Sequence, residues 1–517
     1  MKMPPLLDRN RGRGLALVAA LTLVQGGAAG AAAFATRGLF EAMHVDAALP
    51  VADLAMLIGA GCLIAVTRVA ARYMGERIGQ DYARQIRSAL FDHAARMPAR
   101  AVAERRAGYM SLRFVGDMTA FRNWLSVGLP RLIAGCVLLP AVLAVLWMLD
   151  PVFAVAVTPV FATTLLLITM GGIRLVPIQR RLRIRRARIA AEMAERMPLA
   201  PHLDRLGRRG KELGLLDKRT DAMIDAALRH RLSVESLKAL PDLAAGVAAA
   251  LVVLAGYRAG LSAGSIAAAL ATLGLLSPPL RDLGSVWNLR AAFHAAAIKA
   301  EAALSRTQRD LYRAGKSLPK GPVDVAFENV ALPSGTILNC HVKQSSNTAL
   351  PIIELDADAV MDMLLGLGAP TSGRILMSGI DLRDLSRGSL RRSVLRVGSS
   401  PDILQGSLRR VLLMGCPDPA EDATLEQIAR KEGLGQLLDR LGGLGGTIRE
   451  AGRNLTRSER VAISLVRIHL LRPRLILVDP DVAFVGRTSL EAYLRKRGAT
   501  VIRPYVELST ILPAART

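Results

Sequence analysis

Apolar and polar positions follow two different patterns in the two parts of this chain. Up to about residue 310 the apolar residues run in long, nearly uncharged stretches: Gly14–Thr36, Ala47–Thr67 (with only Asp53), Leu132–Leu149, Pro151–Ile173, Leu240–Tyr257 and Ala259–Leu280. Each is long enough to predict a helix that crosses a bilayer. Asp150 and Pro151 leave room only for a tight turn, and Arg258–Ser265 is a similarly short link. Between the second and third stretches, and again between the fourth and fifth, Arg68–Arg131 and Arg174–Lys238 are long, basic and helix-patterned. The alternative is six buried core helices of a large soluble protein. After about Lys320 the period shortens. Short β-type runs (Val323–Val330, Pro351–Leu355, Arg374–Met377, Val394–Val397, Leu475–Asp479, Thr500–Ile502) alternate with helical stretches and predict an α/β domain. The expected organisation is a membrane domain over 1–310 and an α/β domain over 321–517.

Composition supports the membrane reading. Half of the 517 residues are apolar, aromatics are only 4%, and the mean hydropathy is +0.31. Spans built from Ala, Leu, Val and Gly give such values. The formal charge of +25 invites nucleic acid as a partner. Lys and Arg, however, concentrate in the long segments between apolar stretches, where the positive-inside rule places them. That distribution predicts a cytoplasmic N-terminus, cytoplasmic long loops and a cytoplasmic C-terminal half, and no nucleic acid. The basic N-terminus leads into an apolar run too long for a signal-peptide core, which reads as a retained first span. Arg180–Arg188 (RRLRIRRAR) reads either as an anionic-lipid contact or as a solvated helix extension. The four cysteines are scattered without metal spacing, and the seven histidines stand singly.

Several segments carry a resemblance. Ala99–Ala107 lies in a stretch (RYMGERIGQDYARQIRSALFDHAARMPARAVAERRAGYM) built like an Arg-rich helix followed by a short coupling helix. PTSGRILMSGIDLRDLSRGSLRRSVLRVGSSPDILQGSL, TIREAGRNL and LLRPRLILVDP then follow in order. With the six-span plan they resemble an ABC exporter half-transporter over nearly the whole length. The fold class implied is a multi-domain membrane protein: an N-terminal six-helix ABC exporter transmembrane domain and a C-terminal α/β P-loop-type ABC domain in degenerate form.

The resemblance also places the family's functional positions. Residues 354–367 (ELDADAVMDMLLGL) stand where a glycine-rich loop with Gly-Lys-Ser/Thr cradles phosphates. The lysine position falls on Ala357 and the Mg²⁺-binding Ser/Thr on Asp358, among the carboxylates Glu354, Asp356, Asp358 and Asp362. Those charges oppose a triphosphate. The γ-phosphate-sensing glutamine falls on Ser399. The signature Leu-Ser-Gly-Gly-Gln reads Leu455, Thr456, Arg457, Ser458, Glu459, where Arg457 is either a phosphate donor or merely exposed. Asp479 keeps the Walker B aspartate, which holds the Mg²⁺ water shell. Pro480 stands at the general-base glutamate, Val506 at the switch histidine, and Pro333 and Ser334 where an adenine-stacking aromatic is expected. No residue is assigned a catalytic role.

The family pairs two halves head-to-tail, each nucleotide site using one half's phosphate loop and the other's signature. The expectation is therefore an export subunit of the plasma (bacterial inner) membrane, the degenerate half of a heterodimer. ATP and Mg²⁺ enter only through a composite site with an intact ABC half-transporter, and a homodimer is disfavoured. The alternative is a non-transporting pseudo-ABC scaffold or regulatory subunit. Few aromatics and almost no charge inside the spans lean toward a lipidic or amphipathic cargo.

Overall fold

The computed structural model describes residues 3–44, 48, 50–103, 117–275, 277–398, 402–416, 418–479 and 498–505. The chain divides into two compact units: Met1–His93 with Arg105–Arg306, and Ala94–Glu104 with Thr307–Thr517. The division differs from one at residues 310–321 chiefly in assigning 94–104 to the α/β unit.

The first unit is helical. Six helices are long and apolar enough to cross a membrane. We name them α1 (Arg9–His44), α2 (Val51–Ala95), α4 (Met118–Leu149), α5 (Pro151–Arg196), α6 (Arg209–Arg258) and the pair α7 (Ala263–Gly274) and α8 (Ser277–Leu304); α3 is the short helix Ala99–Ala103. Among the described residues, much of both basic segments continues the span helices, residues 68–95 in α2, 174–196 in α5 and 209–238 in α6. Only 11% of the most apolar window of α2 is buried, which suits lipid as its surroundings rather than a soluble core. Asp150 ends α4 and caps α5, accepting a hydrogen bond from the Val152 amide at 2.9 Å, with Pro151 in the first turn. Helices approach closely over small residues. A Cβ at Gly172 of α5 would stand 2.2 Å from Trp287 Cδ1 of α8, so only glycine fits there. One apolar cluster gathers Leu146, Phe153, Val157, Ala248, Val252 and Ala268, and another joins Tyr82, Phe121 and Phe293 through edge-to-face rings. The arginines of 180–188 are all exposed along α5.

The second unit carries two larger sheets and a two-stranded ribbon. Strands β1 (Val325–Ala331), β2 (Ile337–Val342), β4 (Arg374–Met377) and β5 (Ile380–Asp381) form an antiparallel sheet in the order β2-β1-β4-β5. Strands β3 (Asn347–Pro351), β6 (Val394–Val397), β9 (Leu475–Val478) and β10 (Thr500–Tyr505) form a parallel sheet in the order β3-β10-β9-β6, and β7 (Gly406–Ser407) pairs with β8 (Thr447–Ile448). The runs at Arg374–Met377 and Val394–Val397 form strands over the predicted residues.

The predicted strand Pro351–Leu355 is corrected. Pairing with β10 ends at Pro351, and the helix α9 (Glu354–Leu364) begins after only Ile352 and Ile353. Ala357, Val360, Met361 and Leu364 recur at helical spacing and all lie in the core, which makes 354–364 a helix rather than a strand. Aspartates at 356 and 358 suit its first turns. The hairpin strand β2 is an addition the sequence reading lacks.

Candidate functional site

The site lies at the C-terminal ends of the parallel strands, where α/β sheets place ligands. Its first component is the β3–α9 connection. A phosphate cradle needs several consecutive backbone amides turned toward one point. Ile352 and Ile353 alone join strand to helix here, and Ala357 is 6% exposed inside the core, so the lysine position cannot reach a ligand.

Asp356, Asp358 and Asp362 of α9 each have their own surroundings. Asp356 is 1% exposed and accepts from the Ser334 amide at 3.0 Å and the Ser334 hydroxyl at 2.5 Å. The adenine-stacking position and the phosphate-loop position are therefore bonded to each other. Asp358 points outward and meets Arg396 of β6, whose Nη2 donates to its Oδ1 at 2.6 Å. Arg396 Nε donates to Asp479 Oδ1 at 2.7 Å. The guanidinium thus bridges Asp358 of α9 and Asp479 at the end of β9. The Asp479 side chain is 9% exposed and that of Arg396 27%, so the pair is largely shielded. Gly398 lies against Asp479, where a Cβ would meet its carboxylate, and the Asp479 amide donates to the Val397 carbonyl at 2.9 Å. Burial alone would lower the Arg396 pKa, but its bonds to Asp479 and Asp358 more than offset this and hold it above its ordinary value. Asp362 is shifted upward, first by burial and then by Asp358 and Asp402, against the pull of Arg396. This set of acids is matched to a cation rather than to a triphosphate, and the cation it holds is a side chain of the same chain.

The signature position begins helix α10 (Arg457–Leu471). Thr456 Oγ1 accepts from the Glu459 amide at 3.2 Å and Glu459 Oε2 accepts from the Thr456 amide at 2.8 Å, a reciprocal capping box. Arg440 Nη2 binds both Glu459 oxygens at 3.0 and 2.9 Å. Thr456 Oγ1 also lies 3.0 Å from Ser458 Oγ. The amides and dipole that would face an anion are directed at this chain's own carboxylate. Arg457 is exposed at the first helical position. Ser399, Pro480 and Val506 lie outside the described residues.

The far end of α9 is tied to the 94–104 segment. Gly366, at φ +71°, offers its carbonyl to Arg309 Nη1 at 2.8 Å and to the Tyr312 hydroxyl at 3.2 Å. Arg309 Nη2 reaches the Ala95 carbonyl at 2.7 Å, and the first residue of α3, Ala99, donates to the Leu367 carbonyl at 2.9 Å. Arg396, Ser334 and Arg309 each hold a position of the site. The signal for Arg396 was a single charge in the apolar run VLRV.

Residues 15–228 match the family model of the ABC transporter transmembrane region. The uncharacterized ABC transporter ATP-binding protein YknV of Bacillus subtilis is 20% identical over 476 residues, 86% of this chain and 76% of that protein. The chain thus carries an ABC transporter transmembrane region over residues 15–228. Among other relatives of this chain, the mycobactin import ATP-binding/permease protein IrtB of Mycolicibacterium thermoresistibile is 33% identical over 123 residues, 23% of this chain and 21% of that protein. The glutathione/L-cysteine transport system ATP-binding/permease protein CydD of Haemophilus influenzae is 26% identical over 220 residues, 41% of this chain and 37% of that protein. Matches to these two span well under half of either relative's length. The six apolar helices among the described residues, with the transmembrane-region match, make this chain a multi-pass membrane protein.

Proposed function

We propose that this chain is the non-hydrolysing half of a dimeric ABC exporter, paired with an intact half that binds and hydrolyses ATP. The observation that carries the reading is Arg396, which occupies Asp479 and Asp358 together at 2.7 and 2.6 Å. With that bridge in place the described residues offer a phosphate neither a nest of amides nor a lysine, and no step of hydrolysis is derived through them. The Ser334–Asp356 bonds and the capping box support the same reading from two other sides. A homodimer would repeat the closed site twice, so the intact partner belongs to a different chain. Charge distribution supports the plasma (bacterial inner) membrane, with the α/β unit on the cytoplasmic side.

The test is phosphate release by the purified full-length chain, alone and reconstituted with an intact ABC half. No MgATP hydrolysis is expected from the chain alone, and hydrolysis is expected from the pair. Micromolar ATP binding by the chain alone that is abolished by Asp479→Ala would overturn the proposal, as would hydrolysis without a partner.

A further inference from the structure

We propose that the α/β unit binds a phosphate-type oxyanion at Arg474 and Arg392, at the opposite end of the parallel sheet from the Arg396 bridge. The inference rests on positive charges left unmet there and not on the state of that bridge.

The sheet places both residues. Arg474 directly precedes β9, and Ser393 directly precedes β6 and ends the short helix Arg387–Ser393 that carries Arg392. The two strands run parallel with Leu475 beside Val394, so these residues stand at the N-terminal edge of the sheet. The Arg474 amide donates to the Ser393 carbonyl at 2.8 Å, and the Arg474 carbonyl accepts from the Thr500 amide at 3.0 Å. The side chain is held as firmly as the backbone. Nη2 donates to Ser393 Oγ at 2.7 Å, and Nη1 donates to the Pro319 carbonyl and, at 3.4 Å, to the Gly321 carbonyl. Nε–H is left without an acceptor among the described residues. Nε and Nη2 share the edge of a guanidinium that takes an oxyanion through paired bonds.

Every acceptor that Arg474 has is neutral. Elsewhere in this unit Arg396 has Asp479 and Asp358, Arg440 has Glu459, and Arg430 has Glu426 and Asp439. Arg474 is half-buried and has no acid among the described residues; its charged neighbour is Arg392. Burial first, and the Arg392 guanidinium second, hold the Arg474 pKa below its ordinary value. Arg392 is exposed and has no hydrogen-bond or ion-pair partner among the described residues. The negative end of the short helix favours a cation, which leaves the second charge unmet. Lys320, between the two carbonyls that Arg474 holds, adds another exposed charge without a partner among the described residues. A charge withdrawn from water is normally paired, and two like charges side by side add to the cost. A phosphate group carries a charge of about −1.5 to −2 near neutral pH and three strong acceptor oxygens, so it can meet both arginines at once. Arg392 is exposed, so an ester substituent extends into solvent. The ligand class is therefore inorganic phosphate or a small phosphate monoester.

The experiment follows thermal unfolding of the full-length chain in zwitterionic lipid discs, titrated with inorganic phosphate against chloride at matched ionic strength. A saturable rise in Tm with phosphate is expected, because a ligand of the folded state stabilises it by mass action. Arg392→Gln should weaken the phosphate affinity about tenfold, the loss expected when one charge-assisted bond is removed. It should also raise the Tm of the phosphate-free chain, because the repulsion is gone. Arg392 makes no bond among the described residues, so folding of this variant is not at stake. Arg410→Gln, at an exposed arginine beyond β7, should change nothing. Phosphate should slow hydrogen exchange over 320–324 in the wild type and not in Arg392→Gln. A rise in Tm that does not saturate is the general effect of an excluded salt and would overturn the proposal. So would equal affinities of Arg392→Gln and the wild type, equal losses for Arg410→Gln and Arg392→Gln, or exchange over 320–324 that ignores phosphate. Phosphoserine in place of inorganic phosphate separates the sources: tighter binding identifies an esterified ligand and weaker binding free phosphate, with the site upheld in either case.

Discussion

The charged groups of the candidate site face one another, whereas the arginines at the N-terminal ends of the same parallel strands meet no acid among the described residues. Arg396 bridges Asp358 and Asp479, Ser334 closes on Asp356, and Glu459 is held by Thr456 and Arg440. At the other end Arg474 is held by neutral groups and stands beside Arg392. Both regions contain more charge than packing needs. A buried polar group must be satisfied, and in the candidate site the satisfaction comes from within the chain. A half-buried cation beside a second cation has a cost that a bound anion offsets. The contrast separates a site whose charges are met from within the chain from a sheet edge whose charges are not, among the described residues.

The strongest way to break this contrast is to open the closed site. Arg396→Leu takes the guanidinium away from the largely buried Asp479, and removing one partner of such a pair costs about 3 kcal/mol, toward the low end because Arg396 is partly exposed. A lowered Tm of the full-length chain is expected, with much of the loss recovered in Arg396→Leu/Asp479→Leu. The smaller variant Arg396→Ala sharpens the point. It leaves Asp358 and Asp479 facing a vacated space, so MgCl₂ or MnCl₂ should raise the Tm of this variant and leave the wild type unchanged. A wild-type chain stabilised equally by divalent ions would show that Arg396 is not the resident cation.

Next in size is Ser334→Ala, which removes the hydroxyl bond to a fully buried carboxylate and leaves the backbone amide of residue 334 as its donor. Losing that charge-assisted hydrogen bond should cost about 1.5 kcal/mol, read as a Tm decrease that Ser334→Ala/Asp356→Ala largely reverses. Ser334→Tyr, which restores an aromatic at that position, should lower stability without conferring ATP binding. Thr456→Ala removes one arm of the capping box and should cost about 1 kcal/mol. Hydrogen exchange should speed up at the start of α10 while β9 stays protected.

These closures explain which features the sequence carried openly and which it did not. The spans were legible because an uncharged apolar run of that length has few other homes. Arg374–Met377 and Val394–Val397 were legible as strands because β-favouring residues stand there between turn signals. The start of α9 was harder to see. Ile352, Ile353 and Leu355 look like a strand continuing past Pro351, and only the stripe Ala357, Val360, Met361 and Leu364 favours a helix. The acidic character of ELDADAVMDMLLGL was plain, but its consequence was not. Which carboxylate meets which donor depends on β6 lying beside β9 and on the turn after β1 lying beside α9, contacts between residues far apart in sequence. Arg396 in VLRV was the one local hint, a charge in a short apolar strand.

The smallest expected effect concerns Asp362, the acid of α9 whose ionised form is least well served. Burial raises its pKa, Asp358 and Asp402 add to the rise, and Arg396 only partly opposes them. A carboxyl whose folded pKa lies above its unfolded value binds protons more tightly in the folded state, so it destabilises the fold where it is ionised in both states. The penalty is present at neutral pH, shrinks as pH falls through the raised folded pKa, and is gone below the unfolded value. Asp362→Asn should therefore stabilise the chain at pH 7 by less than about 1 kcal/mol, because the group is only half-buried. The gain should vanish near pH 4, about where an unperturbed aspartate is half protonated. Paired thermal unfolding of the two proteins across that range checks the sign. A variant less stable than wild type at pH 7 would mean that Arg396 holds three carboxylates rather than two, and would widen the closed site to include the third turn of α9.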